Sequence, residues 1–124
     1  MANSTSSFLK LTVQATGENS GTWGQITNTN LLIVEQSIAG FESVAASVGT
    51  LTFTNGAVSN GKNAVLQITG TLGTATNLVV PVTEKVYIVD NATSGAYAVT
   101  VKTTSGTGVT WAAADKGTKM VHYL

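Results

Sequence analysis

Residues 16–48 read TGENSGTWGQITNTNLLIVEQSIAGFESVAASV, and the rest of the chain is organised around them. Leu31, Val34, Ile38, Phe41, Ala45 and Val48 recur at alternating spacings of three and four residues, the seam spacing of a helix that packs against other helices. This pattern predicts a helix over residues 27–48, with Thr27, Asn28, Thr29 and Asn30 as candidate N-caps. Glu35 and Glu42 flank the seam. Gly40 falls inside it and weakens a helix interior by roughly 1 kcal/mol relative to alanine, so such a helix depends on packing. Leu32, Ile33 and Val44 widen the apolar surface. Two arrangements therefore stay open: self-association through Leu31, Val34, Ile38, Phe41 and Ala45, or a single amphipathic helix laid on the chain's own sheet. Just upstream, Trp23 stands between Thr22 and Gly24. Its ring must dock either on that sheet or on a neighbouring subunit.

Before this stretch, residues 1–7 are small and polar and predict a flexible lead-in. Leu9, Leu11 and Val13 then alternate with Lys10, Thr12 and Gln14, which predicts a short strand with one buried face. With no hairpin partner beside it in sequence, this strand is a candidate attachment element, and residues 1–26 form a lead-in, strand and tryptophan loop. After Gly49 the apolar period changes to two. Thr50–Thr54, residues 63–71, Lys85–Asp90, Tyr97–Thr103, Val109–Trp111 and residues 118–124 all read as strands, and Asn55-Gly56 and Asn60-Gly61 are turn dipeptides. Lys85–Asp90, KVYIVD, is the most central of them by its continuous apolar character. Short strands separated by Gly, Asn and Ser predict an antiparallel sandwich or roll. The expected fold is mainly β: an N-terminal strand, one helix, then a small antiparallel β-domain over residues 49–124, with no internal repeat.

Composition narrows function more by exclusion than by assignment. The 124 residues include six lysines, no arginine, no cysteine and one histidine, and only 10% are charged against 43% apolar; an ordinary soluble domain carries about 25% charged residues. So little charge fits a surface covered by other subunits, and equally a surface solvated through Ser and Thr. Without arginine or a lysine cluster, nucleic-acid binding is not expected. No cysteine means no thiolate zinc site and no thiol nucleophile, and no metal or other cofactor is expected. His122 has no serine nucleophile motif to serve, and the carboxylates are dispersed, so no catalytic residues are assigned and no enzyme is expected. The glycines of residues 70–74 and 105–108 lead into no helix and read as turns rather than phosphate loops. No signal peptide or membrane-spanning run is present, which predicts synthesis in a cytoplasm without membrane insertion. Tyr97 and Trp111, with Tyr87 and Tyr123, are either a platform on which a sugar stacks or core filling.

The run Leu9 to Gly24, LKLTVQATGENSGTWG, followed by Asn28-Thr29-Asn30 and residues 33–40, resembles the N-terminal region of tail-fibre-like structural proteins of tailed bacteriophages. Residues 79–91, VVPVTEKVYIVDN, with Val99-Thr100-Val101-Lys102 are similar to the β-domain that accompanies it. The resemblance implies a virion protein, commonly trimeric, made in the host cytoplasm and mounted on the tail or an adaptor through other tail proteins. Leu9, Leu11, Val13 and Trp23 would then serve attachment, and the helix seam would join the subunits. This sequence departs from the long-fibre pattern in showing neither an extended shaft nor a receptor-binding tip, so the expectation is a short adaptor, a fibre base or another small component of the tail or head decoration. The alternatives are a head decoration protein and a module that binds a host-surface glycan.

Overall fold

The computed structural model describes residues 2–123. Among them it contains one α-helix and a set of short strands, as a mainly β chain with one helix. The N-terminal strand is much reduced: β1 (Ser4–Thr5) pairs antiparallel with β2 (Thr12–Val13) and extends no further. Lys10 adopts a positive φ of 56°, which a strand cannot accommodate, so the alternation of Leu9 and Leu11 does not become a ladder. The segment is held to the body by single bonds instead. Gly56 N donates to Lys10 O, and Thr83 Oγ1 donates to Phe8 O.

Helix α1 spans Trp23–Ala39, which corrects the expected range of 27–48 at both ends. Its start lies earlier because the supposed caps are occupied elsewhere: Asn30 accepts from Thr12 N and donates to Thr12 O, and Thr27 Oγ1 accepts from Gln14. Gly40 ends the helix. It is extended (φ −71°, ψ 138°) while its N–H still bonds to Gln36 O. A Cβ there would collide with Gln36 O and lie 2.7 Å from Asn63 Oδ1, so only glycine fits. Beyond it the chain forms strand β3 (Phe41–Ala45) and then a 3-10 turn at Ala46–Val48. The seam spacing of Phe41, Ala45 and Val48 therefore continues in the sequence but not on a helix.

From β3 the chain winds through two sheets. Strands β4 (Val65–Thr69), β6 (Lys85–Asn91) and β9 (Thr118–Tyr123) join β3 in a sheet ordered β3-β4-β6-β9, while β5 (Thr76–Val79), β7 (Val99–Lys102) and β8 (Val109–Trp111) form a second, ordered β5-β7-β8. β6 is interior, flanked by β4 and β9. The expected antiparallel arrangement is corrected: β3, β4 and β6 are mutually parallel, as are β5 and β7, and only β8 and β9 fold back antiparallel. Alternation reports which face of a strand is buried and says nothing of the direction of its neighbour.

The pairs Val65↔Ile88, Thr71↔Ser94 and Thr76↔Val99 share one sequence offset. Residues 65–79 and 88–102 are thus successive coils of one winding, in register through the corner as well as the strands. The coil below begins at Phe41, paired with Val65, and ends at Thr50, bridged parallel to Val79. The sequence shows no repeat because the coils share burial rather than identity. Leu66 and Val89, Ile68 and Asn91, Leu78 and Val101 are all buried at equivalent places. Between the sheets the apolar side chains of these pairs, with Val44, Leu51, Tyr87 and Trp111, form a single core.

Candidate self-association surface

The helix has an inner face against the body and an outer face, on which Thr27 and Val34 are half-buried and Trp23, Leu31 and Ile38 exposed. Ile33 is fully buried, and Asn30 and Ser37, one turn either side, and Ile26, two turns before, are half-buried with it. Gln36 fastens that face to the body, its Nε2 donating to Ser59 O and its backbone carbonyl accepting from Ala64 N. On the other face Trp23, Thr27, Leu31, Val34 and Ile38 succeed one another at spacings of four, four, three and four, which aligns them along a 3.6-residue helix. Trp23 is 64% exposed, Leu31 62% and Ile38 74%. The seam read from sequence therefore points away from the chain's own sheets. Trp23 does not dock on them either, which removes one of its two expected placements.

Phe41 and Ala45, the remaining members of that seam, lie on β3 and belong to a different surface. They sit on the outer face of the four-stranded sheet, opposite the side on which Val44, Leu66 and Ile68 enter the core. The registers bring Phe41, Val65, Ile88 and Met120 side by side across all four strands. Phe41 is 60% exposed and Met120 72%, so this is an apolar row open to solvent at both ends. Beside it runs a polar row, Ser43, Gln67, Asp90 and Thr118. Ser43 Oγ donates to Gln67 Oε1 (2.9 Å), Gln67 Nε2 to Asp90 Oδ2 (3.2 Å), and Thr118 Oγ1 to Asp90 Oδ1 (3.3 Å). Leu32, Ala39, Phe41 and Val58 further line an open groove of about 430 Å³ between helix and sheet edge. No sequence pattern announced these rows, because they run across strands distant in the chain.

The other anticipated positions separate. Leu9 and Leu11 are half-buried and Val13 is exposed in the N-terminal hairpin, so these three do not form one buried face. The aromatic platform is not formed: Trp111 is completely buried and donates from Nε1 to Gly117 O, while Tyr97 is exposed. A sugar has no access to the face of a core indole. Tyr87 is likewise buried, its hydroxyl donating to Gly61 O. Two lysines that no sequence pattern singles out are buried as well. Lys62 donates to Thr54 O and Ala57 O, and Lys85 to Asn63 O and Val86 O. Desolvation lowers the pKa of Lys62 and brings that of Lys85 down to about 8.

Among the described residues, no group of three or more His, Asp or Glu could hold a metal ion, and no helix is long and apolar enough to cross a membrane. No protein-family model matches the chain, and neither a curated protein nor a solved structure is significantly similar to it.

Proposed function

We propose that this chain is a non-enzymatic structural subunit that self-associates through the outer face of α1, and that it works as a fibre-base or adaptor component of a phage tail. The observation that supports self-association is the apolar stripe Trp23, Leu31, Val34 and Ile38 on the helix face turned from the body, in which Trp23, Leu31 and Ile38 are exposed and Val34 is half-buried. Such a stripe is a narrow seam for another helix rather than a face for a sheet. Contiguous exposed apolar surface of this kind marks an interface in soluble proteins. The phage assignment rests on the resemblance of residues 9–40 and 79–102. A homotrimer is the preferred count, and other tail proteins are the preferred further partners.

The stripe is tested with Ile38→Asp. Ile38 is exposed in the single chain, so the substitution costs the monomer only the helix-propensity difference, under about 1 kcal/mol. Burying such a side chain contributes roughly 1.5–3 kcal/mol, so association should weaken at least about tenfold in sedimentation equilibrium. Trp23 supplies a second readout, since its fluorescence should be quenched by acrylamide in dilute solution and become shielded as the chain associates. A wild-type chain that remains monomeric at high micromolar concentration, with Trp23 open to quencher throughout, would sink the reading.

A further inference from the structure

The first strand of the winding, β3, is an edge strand: among the described residues it has β4 on one side and no strand on the other. Val65 N donates to Gly40 O, and with the register Phe41↔Val65 to Ala45↔Thr69 the backbone groups of Gly40, Glu42 and Val44 face β4. By the alternation of a parallel ladder, those of Phe41, Ser43 and Ala45 face outward. Among the described residues no hydrogen bond reaches these three N–H groups. Natural edges are protected by proline, lysine, a bulge or a covering segment. β3 has no proline, lysine or bulge: it reads FESVA with Glu42 as its one charge, and Phe41, Glu42, Ser43 and Ala45 are all exposed.

We infer that β3 pairs antiparallel with β3 of a second copy about a two-fold axis at Ser43, joining two four-stranded sheets into one. The register is set by the side chains. Centring on Ser43 sets Phe41 against the partner copy's Ala45, large beside small, and matches every outward N–H with a carbonyl. Ser43 donates to and accepts from its own mate, and Ala45 donates to the carbonyl of Phe41. On the inner face Glu42 meets Val44. Centring on Glu42 would place two carboxylates directly opposite, which is destabilising, and centring on Val44 would leave Phe41 beyond the partner strand. On the outer face the polar row of Thr118, Asp90, Gln67 and Ser43 continues across the axis into its own copy. A two-fold contact of this sort closes on itself and uses one patch on both subunits. It does not rest on the helix stripe, which lies on another element.

The chain has no cysteine, so Ser43→Cys reports the register directly. Opposed residues of a hydrogen-bonded antiparallel pair have Cα atoms about 5.5 Å apart, within the span of roughly 4.4–6.8 Å that a disulfide bridges. The substitution is made in an Ile38→Asp background, so that stripe contacts do not bring copies together, with Thr104→Cys in an exposed loop as control. Expected is at least a tenfold faster oxidation of Ser43→Cys to covalent dimer in a glutathione redox buffer. Oxidation no faster than the control, or faster dimer formation from Glu42→Cys, would overturn the inference. Wild-type protein gives an independent reading by hydrogen exchange. The amides of Phe41, Ser43 and Ala45 should slow at least tenfold between low-micromolar and millimolar concentration, and free exchange at every concentration would overturn the inference equally.

Discussion

Gly40 marks the boundary between the helix and the first strand of the sheets. Read as an interior helix position it is merely unfavourable; in place it is the point at which α1 becomes β3, with no room for a Cβ between Gln36 O and Asn63 Oδ1. Gly40→Ala must push backbone against backbone, so we expect a loss of about 1–3 kcal/mol, the range of overpacked sites, seen as a lower urea midpoint. An interior helix position would instead gain stability from alanine. Lys85 is the second informative residue. Its ammonium lies 4.1 Å from the Tyr87 ring centre and bonds only to carbonyls among the described residues, and burial holds its pKa at about 8 against about 10.4 in an unfolded chain. Below pH 8 both states carry the proton and the desolvation penalty is felt in full. Between about pH 8 and 10.4 the unfolded chain binds the proton more tightly, so stability rises with pH, by on the order of 2 kcal/mol. Lys62 is shifted the same way. Urea titrations at pH 7 and pH 10 should therefore show a rise that Lys85→Met diminishes but does not abolish.

At the scale of elements, α1 is tied to the body by few groups on its inner face, and Asn30 joins it to the N-terminal hairpin. One amide side chain there satisfies both the N–H and the C=O of Thr12. Removing it in Asn30→Ala leaves two part-buried backbone groups without that partner, a local cost of roughly 1–3 kcal/mol. The two-sheet core contains neither residue. Limited proteolysis should accordingly cut residues 2–15 several-fold faster in the variant, while the main unfolding transition moves little. Loss of the whole transition at once would show that hairpin, helix and sheets form a single cooperative unit.

At the scale of the whole molecule, the helix stripe and the β3 edge are surfaces on different elements. If the stripe joins three copies and the edge joins two, Ile38→Asp should leave species built on twos and Ser43→Lys species built on threes. Light scattering across a concentration series separates these, and the double variant should be monomeric. The amino-acid sequence by itself determined that the chain is mainly β with one helix, that KVYIVD is an interior strand, and that Leu31, Val34 and Ile38 share a stripe. Each of these comes from local periodicity, which a window of residues contains. Tertiary structure alone decided that β3, β4 and β6 run parallel, as do β5 and β7, that coils 65–79 and 88–102 repeat, and that Trp111 is core rather than platform. It also decided that the helix stops at Gly40. Those outcomes depend on which distant backbone lies alongside; at Gly40 the local Gln36 O already bars a Cβ, and Asn63 Oδ1, which no window of residues 16–48 brings near, crowds the same position.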